Sequence, residues 1–228
     1  MNFNYVSHSN IIYYTFYQGK RAYSVMCFAL IALLLLSCEN HIIQRASSDY
    51  FPLDEGNWWR YTSANDTLFI EVEPLDTILN VECFPISADG YVTYRTKDDN
   101  GISDYINIVY NFSGETYTII EDFIMRIELP LLDGNTFNDS LVDSLELSGE
   151  WVKAAYHVSG VVSVDEYSSG LYDGDVYRVE ISVRETLMAI DTTIINDTYV
   201  EELYAPDIGV VQFLAGNSEY HLIAYHLN

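Results

Sequence analysis

Apolar and polar residues alternate along most of this chain, and this period of two limits its possible folds more than any other feature. Between Tyr177 and Arg184, the odd positions are apolar or aromatic and the even positions are polar. Successive side chains of a β-strand point to opposite faces, so this pattern is typical of a sheet with one face in solvent. Similar runs are predicted as strands at 67–73, 77–84, 91–95, 105–110, 116–120, 123–129, 152–158, 161–165, 194–203, 209–214 and 220–225.

Turn-forming residues separate these runs. The predicted turns contain Gly or Asn and lie at 88–90, 98–101, 113–114, 133–135, 173–175 and 216–217. Such short connections favour antiparallel neighbours over crossovers. Residues 139–147 carry a weak helix prediction. The sequence therefore predicts an all-β, mainly antiparallel domain, with a single strongly curved sheet that forms a half-barrel or an open barrel.

The first 38 residues have a different character. Lys20 and Arg21 precede an uncharged apolar run of fifteen residues, 22–36, and Leu35-Leu36-Ser37-Cys38 ends it. As a helix this run would span about 22 Å, which is short of a membrane span of about 30 Å and fits a secretion signal better. The four final residues resemble a bacterial lipobox, which implies lipidation of Cys38. A short buried helix that contains a cysteine is the alternative.

This assignment predicts three segments: a signal peptide at 1–37, a lipidated cysteine and short tether at 38–49, and one β domain at 50–228. After Cys38, 34 acidic residues stand against 8 basic ones, which gives a net charge of −26. Such a chain repels nucleic acid and anionic lipid head groups. Its membrane attachment is therefore expected through the lipid, in the bacterial cell envelope, at either face of the outer membrane.

Two motifs resemble signatures of a family of bacterial envelope lipoproteins that has no settled activity. Residues 51–61, FPLDEGNWWRY, are similar to an FPL-x-x-GN-x-W-x-Y opening, and residues 204–211, YAPDIGVV, to a YAP-x-x-GVV segment. Residues 129–137 repeat the opening, with Phe137 in place of the tryptophan. The resemblance implies a lipid-anchored, β-rich envelope protein and supplies no catalytic residues.

The aromatic residues of the first motif are the candidate ligand contacts. Trp58, Trp59 and Tyr61 are expected to place large rings on both faces of the first strand. Core packing is the alternative role for these rings. Gly209 is expected to adopt a backbone conformation that other residues resist.

Catalytic and metal-binding signals are weak in this chain. His221 and His226 are expected on opposite faces of a strand, and Cys83 is expected to be a buried, inert thiol. The acidic run 98–104 lacks the final glutamate of a calcium-binding EF-hand and is better explained as a hairpin turn. No nucleophile, phosphate-loop or zinc motif occurs, so we expect no enzyme activity, cofactor or metal.

A recurring tripeptide predicts surface modification. Asp followed by Ser or Thr and an aliphatic residue or Thr resembles an acceptor for bacterial O-glycosylation. The acceptor residues would be Thr67, Thr77, Ser140, Ser144 and Thr192. Chance composition is the alternative, since Asp and Thr are common where strands begin.

Three functions fit these observations. The first is a non-catalytic envelope lipoprotein whose curved sheet binds an apolar ligand or an acyl chain. The second is an interaction or adhesion module of a cell-surface complex, which predicts an exposed aromatic patch instead of a cavity. The third and weakest is a hydrolase, which requires a cleft with converging His, Asp and Glu.

Overall fold

The computed structural model describes residues 49–189 and 192–228, and all regular elements in them are strands. The predicted signal peptide, Cys38 and residues 39–48 lie outside the described residues. The thirteen strands are β1 Trp58–Thr62, β2 Thr67–Val72, β3 Asp76–Ile78, β4 Val81–Ala88, β5 Tyr91–Lys97, β6 Gly101–Phe112, β7 Glu115–Glu128, β8 Thr136–Leu147, β9 Glu150–Ser168, β10 Asp173–Ala189, β11 Thr192–Ala205, β12 Gly209–Ala215 and β13 Ser218–His226. The predicted all-β fold class is confirmed.

The strands form one antiparallel sheet with the order β7-β6-β5-β4-β2-β1-β13-β12-β11-β10-β9-β8, and β3 pairs with β4 at its margin. Each half of the chain is a meander, and pairing of β1 with β13 joins the two halves. The two end strands, β7 and β8, approach each other on the other side. There the Met125 N–H donates to the Asp139 carboxylate at 2.9 Å. The sheet is therefore strongly curved and forms a nearly closed barrel.

The interior contains two apolar clusters. The larger cluster includes Trp59, Tyr204 and the fully buried Val179 and Ile181. The smaller cluster lies between the hairpin β6–β7 and strands β8 and β9, around Ile120. These residues are the inward members of alternating strands, so period-two patterning accounts for both clusters.

The motif PL-x-x-GN occurs twice and folds in the same way both times. In the first copy the Gly56 N–H donates to Val72 O at 2.8 Å, and the Val72 N–H donates to Asn57 O at 2.8 Å. In the second copy Gly134 N–H donates to Val162 O at 2.9 Å, and the Val162 N–H donates to Asn135 O at 2.9 Å. Each copy thus forms a turn that is bonded to the open end of a hairpin. This hairpin is β1–β2 for the first copy and β8–β9 for the second.

Both glycines of this motif adopt a left-handed conformation, with φ of 82° at Gly56 and at Gly134. Trp59 and Phe137 follow at equivalent positions, and both rings are buried. The aromatic residue after GN therefore fills the interior in both halves of the sheet.

The helix predicted at 139–147 is wrong, because these residues form most of β8. Leu141 and Leu145 do have helical spacing, but they also share one face of a strand. β8 pairs with β9 along its whole length, and this pairing favours the strand over the helix.

Several strand boundaries also differ from prediction. The run 77–84 is interrupted by Leu79 and Asn80, which have φ of 53° and 65° and form the turn between β3 and β4. The runs at 116–120 and 123–129 are one strand, as are those at 152–158 and 161–165. The turn predicted at 173–175 lies earlier, where the Ser169 N–H donates to Tyr172 O at 2.8 Å.

Candidate functional site

The first strand places its aromatic rings on two faces, as predicted. Trp59 and Tyr61 point into the barrel and are 7% and 2% exposed. Trp58 lies on the other face, where its ring is 5.6 Å from Phe69 and 5.9 Å from the Arg60 guanidinium. Two of the three candidate ligand contacts are therefore interior, and the third is part of an outer aromatic cluster.

The segment before β1 closes the end of the barrel beside these rings. The Asp207 N–H donates to Asp49 O at 2.7 Å, and Lys97 Nζ donates to Phe51 O at 2.7 Å. The Phe51 ring packs 4.6 Å from the Tyr204 ring. Gly209 has the predicted left-handed conformation, with φ of 93°, and a Cβ there would lie 3.3 Å from Pro52.

A cavity of about 70 Å³ remains inside this end of the barrel. Trp59, Tyr61, Ile86 and Tyr204 line it together with Arg95. At the roughly 30 Å³ that one water occupies in the liquid, the cavity has room for about two waters. An extended acyl chain would need far more space than this cavity offers.

Next to this cavity, a chain of ionised groups crosses the barrel. Arg95 Nε donates to Asp104 at 2.8 Å, and Arg126 donates to the same carboxylate at 3.2 Å. Arg126 also donates to Glu202 at 2.8 Å, and the Tyr204 hydroxyl donates to Glu202 at 2.5 Å. This interior network connects β5, β6 and β7 to β11 on the opposite wall.

A β-bulge directs Arg126 into the network. Ile102 pairs with Ile127, whereas the next residue, Ser103, pairs with Met125, so that Arg126 is the extra residue. Bulges of this kind re-aim a side chain. The Arg126 side chain is only 14% exposed, and its Nε has no hydrogen-bond partner among the described residues.

Sequence reasoning missed this network. Glu202 lies between Val200 and Tyr204 at inward positions of β11, and a charge at such a position was the available signal. The strand alternation alone cannot show which residues meet across a barrel, because the partners are as far apart in sequence as Arg126 and Glu202.

The electrostatics of the network hold Asp104 ionised. Burial raises the pKa of Asp104, but the Arg95 and Arg126 guanidinium groups outweigh it, and the net pKa is lowered. Burial also lowers the pKa of Arg126, and the carboxylates of Glu202 and Asp104 reverse this to a net increase. Both partners are therefore charged at neutral pH.

This pKa shift predicts a contribution to acid stability. Because the pKa of Asp104 is lower in the folded than in the unfolded chain, its contribution is present above about pH 4 and is lost as the pH falls. We expect Asp104→Asn to lower the free energy of unfolding at pH 7. Below pH 4, the difference in the free energy of unfolding between the variant and the wild type should become smaller. Urea unfolding at a series of pH values measures this. A difference in the free energy of unfolding that stays constant from pH 7 to pH 3 would contradict the prediction.

At the other end of the barrel, β11 has a free edge, which we define as residues 192–199. Pairing of β11 with β12 starts at Val200, whereas its pairing with β10 continues to Thr192. Among the described residues, no strand pairs with the other side of residues 192–199. All eight are exposed, including Ile194, Ile195 and Tyr199 at 48%, 56% and 45%.

Exposed apolar side chains also lie on the outer face beside the free edge. Val142, Ala155, Thr186 and Ile195 are consecutive partners across β8, β9, β10 and β11. Val142 is 53% exposed, and Trp151 on β9 is 63% exposed. Ala155 in this row is only 7% exposed and Thr186 is polar, so the exposed apolar side chains do not form one continuous patch.

The predicted glycosylation acceptors are all accessible. Thr67, Thr77, Ser140, Ser144 and Thr192 are exposed. In the tripeptides at Thr67, Thr77, Ser140 and Ser144, the Asp carboxylate accepts the N–H of the acceptor residue at 2.7–2.8 Å, and Asp191 of the fifth tripeptide lies outside the described residues. This geometry is compatible with modification, which stays a prediction.

The other candidate chemistry leads to no site. Cys83 is buried and free of disulfides, and burial raises the pKa of its thiol, as expected for an inert cysteine. Asp98 forms the predicted turn, since its carboxylate accepts the N–H groups of Asn100 and Gly101 at 2.7 and 2.9 Å. Within 49–189 and 192–228, no three His, Cys, Asp or Glu residues converge as metal ligands, and no helix could span a membrane.

Comparison with known proteins gives remote similarities. No family model matches the chain, and no curated protein is significantly similar to it. Among solved structures, it is similar to a candidate lipoprotein from Parabacteroides distasonis ATCC 8503, with 13% identity and a TM-score of 0.35. It is also similar to a candidate exported protein with a YmcC-like fold from Bacteroides fragilis NCTC 9343, with 13% identity and a TM-score of 0.36. Each alignment covers 78% of this chain and 99% of the other.

Proposed function

We propose that this protein is a non-catalytic, lipid-anchored envelope protein that binds an extended segment of a partner protein along the free edge of β11. The main observation that supports this proposal is the free edge. An unpaired strand edge presents a row of backbone N–H and C=O groups, to which another chain can add a strand.

The free edge has none of the features that usually protect such edges. Residues 192–199 contain no Pro and no Lys, and the pairing of β10 with β11 has no bulge. Its one charged side chain, Asp197, is paired with Arg184 at 2.7 Å. Ile194 and Ile195 expose apolar surface on both faces of the strand. Added strands would therefore gain side-chain contacts as well as backbone hydrogen bonds.

The free edge lies far from the end of the barrel at which the described chain begins. The described chain begins at Asp49, beside Asp207 at the far end of β11. Ile195 lies ten residues from Ala205, which is about 33 Å along the strand. The charge of −26 favours a partner segment with basic residues.

The acyl-ligand function is less well supported, because the interior cavity is only about 70 Å³. The proposal of a non-catalytic role comes from the sequence, which carries no nucleophile or zinc motif. The envelope location comes from the lipobox resemblance at Cys38.

Site-specific photo-cross-linking of the full-length chain in the producing bacterium tests the proposal. A photoreactive residue at position 195 or 199 is expected to link to one partner segment, and the same residue at position 142 is not. Val142 is the matched control, because it lies in the same row as Ile195 and has similar exposure, 53% against 56%. Mass spectrometry of the linked peptides should place both linkages in one extended, net basic segment, at residues spaced as in a strand.

A second variant makes the test specific for the edge. Ile195→Lys is expected to reduce cross-linking from position 199 about fivefold, because lysine on an edge opposes strand addition, whereas Val142→Lys leaves it unchanged. Equal adducts at 142 and 195, linkages scattered over several partner segments, or no effect of Ile195→Lys would each overturn the proposal.

A further inference from the structure

A groove of about 600 Å³ lies on the outer face of β9, β10 and β11, beside the free edge. The smallest side chains that line it are Ser159 and Ser182, which are direct partners across β9 and β10. Longer side chains surround these serines, namely His157 on β9, Arg184 on β10, and Asp197 and Tyr199 on β11. Strand pairing and alternation place all six on the face opposite the buried Ile181. Two small residues among large ones thus leave a depression in the sheet surface.

The charged groups in the wall of the groove are paired with each other. Arg184 Nε donates to Asp197 Oδ1 at 2.7 Å, and Arg184 Nη2 donates to Asp197 Oδ2 at 3.2 Å. These hydrogen bonds lower the pKa of Asp197, so the pair is ionised at neutral pH. Because one charge balances the other, a strongly charged ligand would find no uncompensated partner in this pair. The groove therefore favours a neutral ligand that can both donate and accept hydrogen bonds.

Tyr199 adds an aromatic wall to the groove. It is 45% exposed, and its hydroxyl donates to Glu201 Oε2 at 3.4 Å. Burial and a hydrogen bond to Glu180 raise the pKa of Tyr199 to about 12, so the hydroxyl stays protonated at neutral pH. The carboxylates thus hold the hydroxyl end of this side chain, and its ring offers a flat apolar surface.

The remaining polar groups suit binding better than catalysis. The two serine hydroxyls donate and accept, and the His157 imidazole can do either. In the described part of the chain, no hydrogen bond links His157 to a serine or to Asp197, whose carboxylate is engaged by Arg184. An activated serine needs such a bond to a base.

We propose that this groove binds a neutral saccharide of about two sugar rings. A sugar has closely spaced hydroxyl groups that donate and accept, and one apolar C–H face. The C–H face packs on the Tyr199 ring, and the hydroxyl groups bond to the Arg184–Asp197 pair and to Ser182. The volume of about 600 Å³ lies within the range of about 300–1,000 Å³ that is usual for small-molecule sites.

The saccharide site goes beyond the function proposed for the free edge. Strand addition uses the backbone groups at the side of β11, whereas the saccharide uses side chains on the outer face. Cross-linking from position 195 and sugar binding are measured separately, so either proposal can fail alone.

Binding of defined sugars to the purified full-length protein tests the site. The detergent must have no sugar head group, because such a group would compete. Saturation-transfer NMR at pH 7 uses five neutral disaccharides as probes: maltose, cellobiose, lactose, gentiobiose and N,N′-diacetylchitobiose. At least one of them is expected to bind saturably, with a Kd of about 0.1–10 mM. Sorbitol is the control, and it should bind at least about tenfold more weakly, since an acyclic polyol has no rigid C–H face.

Variants of Tyr199 test the role of the aromatic ring. Tyr199→Ala is expected to weaken disaccharide binding about tenfold, whereas Tyr199→Phe keeps the ring and should change the affinity less than about threefold. Tyr91→Ala is the matched control, because Tyr91 is 80% exposed on β5 and lies outside the groove. It should bind as the wild type does.

A second pair of variants tests the groove itself. Ser182→Tyr fills the depression and is expected to abolish binding, while tyrosine remains a favourable residue for a strand. Thr93→Tyr, at an exposed position of β5, is the matched control and should leave binding unchanged. Near-ultraviolet circular dichroism checks that each variant is folded.

Three results would overturn the site. The first is the absence of saturable binding of all five disaccharides up to about 50 mM, a concentration that reveals a Kd in the millimolar range. The second is unchanged affinity in the folded Tyr199→Ala or Ser182→Tyr variant. The third is binding of sorbitol as tight as that of the disaccharides.

Discussion

Replacing Arg126 with methionine is expected to lower the free energy of unfolding by about 3–5 kcal/mol, because it leaves the buried Glu202 carboxylate without a charged partner. Arg126 donates to Glu202 at 2.8 Å and to Asp104 at 3.2 Å, and its side chain is 14% exposed. Glu202 is 8% exposed and would keep only the Tyr204 hydroxyl as a partner. Urea unfolding at pH 7 measures the change.

A double substitution tests whether the unpaired carboxylate causes this loss. Adding Glu202→Gln to Arg126→Met removes the charge and keeps an acceptor for Tyr204, so we expect it to recover about 1–3 kcal/mol. Arg178→Met is the matched control, since Arg178 also pairs with two carboxylates but is 33% exposed, and it should cost less than about 1 kcal/mol. A loss below about 1 kcal/mol for Arg126→Met would show that the network does not stabilise the fold.

The class of fold could be read from the sequence, because local alternation is enough to define strands and their faces. Tyr177 to Arg184 lies within β10 as predicted, and the turn at Ser113-Gly114 connects β6 and β7. Trp59 and Tyr61 were correctly placed on the face opposite Trp58. These features depend on neighbours within a few residues, which a single sequence records.

The errors arise where contacts distant in sequence decide local structure. Gly160 lies between the two predicted runs 152–158 and 161–165, yet it is in the middle of β9. A Cβ at this position would clash with the Phe137 ring, so the glycine marks a close approach between strands. The helix prediction at 139–147 was wrong for a similar reason, because pairing with β9 makes these residues a strand.

The candidate sites were the least predictable features. The interior network joins Arg95 to Glu202 across the barrel, and the free edge exists because β12 is shorter than β11. Both depend on which strands are neighbours and on their relative lengths. A single sequence gives no direct record of either.

The second large loss of stability is expected from a substitution in the duplicated PL-x-x-GN motif. We expect this loss in the first copy of the motif and not in the second. The Asn57 side chain is fully buried, donates to Pro52 O at 2.8 Å and accepts the Asn228 N–H at 2.7 Å. It thereby connects the start of the domain to its last residue. Asn57→Ala leaves both backbone groups without this partner and is expected to cost about 2–4 kcal/mol.

Asn135→Ala is the matched control for this prediction. Asn135 forms the same backbone hydrogen bonds as Asn57, but its side chain makes no hydrogen bond within the described part of the chain. The substitution keeps the turn and should cost less than about 0.5 kcal/mol. Thermal and urea unfolding of the two variants therefore separates the side chain from the motif. Equal losses in both would mean that the turn conformation of the motif, and not the buried amide of Asn57, stabilises this end of the barrel.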